Sequence, residues 1–151
     1  MTYFRWLIAF LLFFYLTACH AELSYDYLMQ HPDRLKKEAE KCEIDEKNDV
    51  KRPSCAVVMD AANDFTVLLK AQQKDPEQFG QYIMDAETAY VKAKEERLTS
   101  QQSLEALQTK RASKEEITDA KEKLKRAKVW QQETKRRMNI LLAVVGVTSP
   151  E

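Results

Sequence analysis

The stretch Leu-Glu-Ala-Leu-Gln-Thr-Lys-Arg-Ala-Ser-Lys-Glu-Glu-Ile-Thr-Asp-Ala, residues 104–120, decides the fold because two helical patterns meet in it. Ser113 followed three residues later by Glu116 is a capping box, in which each side chain pairs with the backbone amide of the other residue. A helix therefore begins just after Ser113. Since the upstream apolar pattern ends before Ala112, the sequence predicts that the chain folds back at about this residue.

Apolar or small side chains recur at alternating spacings of four and three on both sides of this turn. The upstream helix has its own start signal. Asp75 is the N-cap, Pro76 takes the first helical position, and Gln78 follows three residues after the cap. The positions are Phe79, Ile83, Ala86, Tyr90, Ala93, Arg97, Ser100, Leu104 and Leu107 upstream, and Ile117, Ala120, Leu124, Ala127, Gln131, Thr134, Met138, Leu141 and Val145 downstream. One register, in which Leu107 faces Ile117, aligns all of them. The pattern predicts a long antiparallel coiled-coil helical hairpin over residues 73–151.

Charge favours the same pairing of helices. Residues 75–108 carry seven acidic and three basic side chains, whereas residues 121–137 carry eight basic and two acidic ones. A solvated flank of the hairpin is the simplest interpretation of the basic run. Contact with lipid phosphates is an alternative. The run lacks interleaved aromatic residues other than Trp130, and for this reason we expect no nucleic-acid partner.

The composition of the chain excludes several classes of protein. The 151 residues carry no net charge and are 44% hydrophobic, with two glycines and four prolines. So few turn-forming residues favour an all-α fold. The sequence shows no glycine-rich phosphate loop and no cluster of catalytic side chains. We therefore expect no enzyme activity, no cofactor, no metal site and no small-molecule substrate.

The N-terminal segment has the layout of a secretory signal. An uncharged apolar run, Trp6 to Leu16, follows one positive charge and is too short to span a bilayer. Residues 16–19, Leu-Thr-Ala-Cys, resemble the bacterial lipoprotein box, which implies cleavage of residues 1–18 and lipidation of Cys19. An uncleaved signal anchor is the alternative. We expect a cell-envelope lipoprotein that faces the periplasm, with His20 after the cysteine slightly favouring the outer membrane over the inner membrane.

Two helices are predicted in the anchor-proximal segment, residues 19–72. The first begins near Pro32 and the second around Cys55, separated by a charged, aperiodic loop at 43–54. Their apolar stripes are Leu35, Ala39 and Cys42 on the first helix, and Cys55, Val58, Ala62, Phe65 and Leu69 on the second. An even pair of cysteines in an exported chain predicts a Cys42–Cys55 disulfide that staples the two helices. A zinc site with His31 as third ligand is a weaker alternative, since the spacing is not that of a zinc motif.

The residues of this segment resemble the EexN-type entry-exclusion lipoproteins of conjugative elements. The similarity lies in residues 25–28, Tyr-Asp-Tyr-Leu, in Ala61-Ala62, in the two cysteines and in the signature positions His31, Pro32, Asp33 and Leu35. It covers about the first half of the chain. The resemblance implies a small lipoprotein of the recipient cell that blocks redundant DNA transfer from donors with a related type IV secretion system. A structural lipoprotein subunit of such a system, or of another envelope complex, is the alternative function.

The C-terminal stretch 140–147 is the most apolar of the mature chain, and part of it is not used by the hairpin. Leu142, Val144 and Val147 lie outside the stripe and must be covered by something else. The simplest prediction is that they pack on the Cys42–Leu69 helix pair and complete one core. Alternatively they form an exposed patch for docking a secretion-system subunit or another copy of the chain.

Overall fold

The computed structural model of the protein describes residues 23–48 and 50–148. They form five α-helices, namely α1 (Tyr25–Gln30), α2 (Pro32–Lys47), α3 (Cys55–Lys74), α4 (Pro76–Thr109) and α5 (Lys114–Thr148). Since this part of the chain contains no β-strand, the predicted all-α class is confirmed. The predictions for residues 1–18, Cys19 and His20 lie outside the described residues.

The two long helices begin where their capping residues predict. The Asp75 carboxylate accepts a hydrogen bond of 2.9 Å from the backbone N–H of Gln78, and Pro76 occupies the first turn of α4. At the start of α5, the Ser113 N–H donates to the Glu116 carboxylate at 2.9 Å, and the Glu116 N–H donates to Ser113 Oγ at 3.2 Å. These bonds satisfy backbone donors that have no partner within the helix.

The connection between α4 and α5 is a tight turn. The N–H of Ala112 donates to the carbonyl of Leu107 at 3.0 Å, and the N–H of Arg111 donates to that of Gln108 at 3.2 Å. This pair of bonds is a Schellman motif, which requires a left-handed residue just past the helix end. Arg111 supplies that conformation with a φ of 54°. The chain therefore leaves α4 and enters α5 within residues 110–113.

Helices α4 and α5 make the most extensive helix–helix contact of the described chain. Every residue of the predicted stripes on both helices is buried or half-buried, whereas most other positions of these helices are exposed. At 34 and 35 residues, each helix is about 50 Å long. The contact therefore runs well beyond the core that the shorter helices cover.

One hydrophobic core joins all five helices at the end of the molecule where α4 begins and α5 ends. Its largest fully buried side chains are Leu28, Val58, Phe79 and Val144, which come from α1, α3, α4 and α5. Helix α2 adds Leu35 and Cys42, and α3 adds Ala61 and Phe65. The predicted stripe residues Ala39, Cys55, Ala62 and Leu69 pack against this core while partly buried. The predicted faces of α2 and α3 are thus confirmed.

Two local features differ from the sequence prediction. Residues 25–30 form a helix, α1, which Ser24 caps by accepting a bond of 3.3 Å from the Tyr27 N–H. The predicted loop at 43–54 is wrong for its first residues, because α2 continues to Lys47. The last turn of α2 was missed because it is mostly exposed and therefore shows no apolar periodicity. The helix ends where the Asn48 side chain donates to the Ile44 carbonyl at 2.9 Å.

Candidate functional site

The signature positions of the resemblance lie at the junction between α1 and α2. The His31 ring stacks on Tyr27 at 4.1 Å, and its Nδ1 donates to the Tyr27 carbonyl at 2.7 Å. Pro32 occupies the first turn of α2, and Asp33 lies beside it at the positive end of the helix dipole. Leu35 is buried in the core. The contacts of His31 with Tyr27 therefore hold the junction to α1, and Leu35 holds the start of α2 in the core.

Cys42 and Cys55 are joined by a disulfide with a sulfur–sulfur distance of 2.09 Å. The bond connects the C-terminal half of α2 to the first residue of α3 and closes a segment with a sequence separation of 13. The predicted staple is thus present. No described residues form a group of three or more histidine, cysteine or acidic side chains that could hold a metal ion.

A buried carboxylate next to the disulfide is a feature that the sequence analysis missed. Glu38 is 3% exposed, and its oxygens lie 3.2 Å from Arg34, 2.8 Å from Lys41 and 3.7 Å from Arg52. Arg52 also contacts Asp45, so it ties the loop before α3 to two acids of α2. Position 38 lies between Leu35 and Cys42 on the inward face of α2, and a charge at such a position signals a paired buried group.

The hydrogen bond from Lys41 lowers the pKa of Glu38, and the positive charges of Lys41, Arg34 and Arg52 act in the same direction against the opposing effect of burial. Because the folded pKa is below the unfolded one, Glu38 stabilises the fold above its unfolded pKa of about 4.3 and stops doing so as the pH falls through the folded pKa. We expect Glu38→Gln to cost about 1 to 2 kcal/mol at pH 7 and much less at pH 3. Urea unfolding of both proteins at the two pH values measures this difference. If the difference in free energy of unfolding between the wild type and Glu38→Gln were the same at both pH values, the charge of Glu38 would not stabilise the fold.

Helix α1 is held by polar contacts on two sides. The Tyr25 hydroxyl donates to the Asp64 carboxylate of α3 at 2.6 Å, and chiefly this bond raises the pKa of Tyr25 to about 12. On the side of α5, Arg136 pairs with Asp26. The Asn139 amide donates to Gln30 at 3.0 Å. These contacts, like α1 itself, were not foreseen, because partners that lie 39 to 110 residues apart leave no local pattern.

Leu142, Val144 and Val147 were predicted to complete the core or, alternatively, to form a docking patch, and the structure places them differently. Val144 is 0% exposed and lies in the core, as the simpler prediction has it, so it is not available to a partner. Leu142 and Val147 are 48% and 50% exposed. The reason is the helical period, because the buried face of α5 at this end runs through Leu141 and Val144 and turns the other two residues toward solvent.

Most cations of the basic run on α5 face solvent. Arg126 is 3.6 Å from Glu122 on the same helix, and Arg136 pairs with Asp26 of α1. The remaining six, Lys121, Lys123, Lys125, Lys128, Lys135 and Arg137, are exposed and form no ion pair with any described residue. Trp130 is half-buried. The run therefore exposes positive charge on both flanks of α5, with Lys123 and Arg137 on the side opposite the other four cations.

A scan against protein-family models, a search of curated proteins and a search of solved structures found no match to this chain. Within residues 23–48 and 50–148, no helix combines the length and the apolar character that a membrane span requires.

Proposed function

We propose that this chain is a lipid-anchored bacterial lipoprotein of the EexN type, which acts in the recipient cell to block redundant conjugative transfer. The observation that carries the proposal is the order of features along the sequence. A segment like the lipoprotein box ends at Cys19 and is followed at once by the signature positions His31 to Leu35 and by the cysteine pair. The disulfide and the packing of Leu35 in one core agree with a compact unit directly after the anchor.

Lipidation of Cys19 gives the proposed protein its place of action. Several acyl chains on one residue hold a protein at a membrane far more persistently than a single chain does. With Leu23 packed against the core, only three residues separate Cys19 from the folded part. The core would therefore lie close to the membrane surface.

The finer fold in this proposal is an antiparallel coiled coil of α4 and α5, in the register that places Leu107 opposite Ile117. Burial of every stripe position on both helices supports it, as does the short turn at 110–113. With the core next to the membrane, the tip of the hairpin would extend about 50 Å from the start of α4. Such a projection suits a protein that meets a partner in the envelope.

A structural subunit of a secretion or envelope complex is the second candidate. The exposed cations of α5 and the length of the hairpin favour it, because both offer a large surface for assembly. The two functions differ in the cell that needs the protein. An exclusion factor acts in the recipient and is dispensable for donation, whereas an apparatus subunit is required in the donor.

Conjugation frequency into recipients that express the protein tests the proposal. We expect a strong reduction with the wild type, and its loss with Cys19→Ser at matched protein levels, because this variant cannot be lipidated. Donors that carry an unrelated conjugative element serve as the control and should transfer normally. Unchanged transfer from the native element into wild-type recipients would refute exclusion, and a transfer defect on deletion in the donor would then support the structural subunit.

A further inference from the structure

An apolar groove with a free cation at its edge lies where α1, α3, α4 and α5 meet. Its volume is about 570 Å³, and it is lined on the apolar side by Met29, Val67, Leu68, Tyr82, Ile140 and Leu141. Val67 is 62% exposed, so the groove is open to solvent. Arg136 and Arg137 border it, together with Tyr25 and Asp64.

The charges around this groove are paired with one exception. Asp64 accepts the hydrogen bond of Tyr25, and Arg136 pairs with Asp26. Arg137 forms no hydrogen bond or ion pair with any residue of the described ranges. An occupant of this groove would therefore combine apolar side chains with a carboxylate.

Helix α4 carries a surface with that combination. Met84, Val91 and Leu98 recur every seven residues and are 61%, 47% and 41% exposed. Glu87 and Glu95 lie four residues before and after Val91, on the same face of the helix. Neither glutamate forms a hydrogen bond or ion pair within the described chain. We call Met84, Val91 and Leu98 the outer stripe.

The outer stripe and the groove face opposite sides of α4. Tyr82 lines the groove, and Val91 follows it by nine residues, which at 3.6 residues per turn is a rotation of about 180° around the helix. Met84 and Leu98 lie within about 20° of Val91 by the same arithmetic. One chain therefore cannot place its own outer stripe in its own groove. A two-fold symmetric dimer is also excluded, because it would need the stripe and the groove on the same side of each chain.

We propose that copies of this chain associate head-to-tail, with the outer stripe of one copy lying in the groove of the next. The apolar side chains of the stripe fill the groove, and Glu87 or Glu95 pairs with Arg137 of the neighbouring copy. Because each copy presents one surface of each kind on opposite sides, the contact is heterologous and builds rings or rows of copies. This assembly does not depend on the exclusion proposal.

Photocrosslinking of the full-length chain in cells tests the assembly. p-Benzoylphenylalanine at position 67 should give, on irradiation, a ladder of bands at multiples of the chain mass. The same probe at Ile44, which is exposed on α2 away from both surfaces, is the control and should give no ladder. A product with a different protein, or no product at position 67, would overturn the proposal.

Charge reversal tests the pairing. In the chain probed at position 67, we expect Arg137→Glu to lower the yield of the ladder about fivefold or more, because two like charges then meet at the contact. Adding Glu87→Arg and Glu95→Arg to the Arg137→Glu chain should restore the ladder. Lys36→Glu, an exposed position on α2, is the matched charge control and should have no effect. Insensitivity to Arg137→Glu, or loss without rescue in variants whose circular dichroism is unchanged, would overturn the pairing.

Discussion

Replacing Cys42 and Cys55 together with alanine is expected to lower the free energy of unfolding by about 3 kcal/mol. The disulfide closes a segment with a sequence separation of 13, and a crosslink over a loop of this size restricts the unfolded chain by about that amount. Alanine is preferred to serine because Cys42 is buried, and a hydroxyl there would require a hydrogen-bond partner. Urea unfolding of the wild type and of the double variant measures the loss.

Unfolding under reducing conditions separates the crosslink from the packing of the two sulfur atoms. The wild type should approach the stability of the double variant when a thiol reductant is present, whereas the variant should be unaffected by it. A wild type that is equally stable with and without the reductant, in material shown to have lost the bond, would exclude a stabilising role for the disulfide.

The elements that the sequence predicted best are those with both a start signal and a long period. Asp75 and Ser113 begin α4 and α5 because each offers an oxygen to an unpaired backbone amide, and this chemistry is local. The apolar spacing then persists over nine positions on each helix, so a few polar members such as Arg97 and Ser100 do not hide it. The face of α4 and α5 that is buried in the structure is the one that this spacing predicts.

Short and exposed elements were missed for the opposite reason. Helix α1 has six residues, fewer than two turns, and it is held by Asp64 of α3 and Arg136 of α5 rather than by its own propensity. The last turn of α2 is charged and faces solvent, so it lacks the apolar signal that marks a helix. Contacts with distant residues therefore determine α1, whereas the last turn of α2 is held by nearby residues, since Asn48 donates to Ile44 and Arg52 pairs with Asp45.

The candidate site was predictable only in part. The disulfide could be predicted from the number of cysteines and the expected oxidising compartment. The burial of Glu38 could not, because it requires three cationic partners, one of which, Arg52, lies in the loop after α2. Likewise, the groove at Val67 forms from four separate helices. An apolar residue in the sequence gives no indication of whether its own chain or a partner covers it, so only the structure shows that Val144 is buried while Leu142 and Val147 are half exposed.

Val144→Asp is expected to destabilise the protein by about 4 kcal/mol or more, because the carboxylate would lie in the core without a partner. Leu142→Asp and Val147→Asp are the matched controls and should cost about 1 kcal/mol or less, since both positions are half exposed. All three residues lie near the C-terminal end of α5, where a negative charge is unfavourable, so the comparison cancels much of that effect. Urea unfolding measures all three. Equal losses would mean that Val144 does not anchor α5 in the shared core, whereas the expected difference ties the C-terminal end of α5 to the core that it shares with α1, α2 and α3.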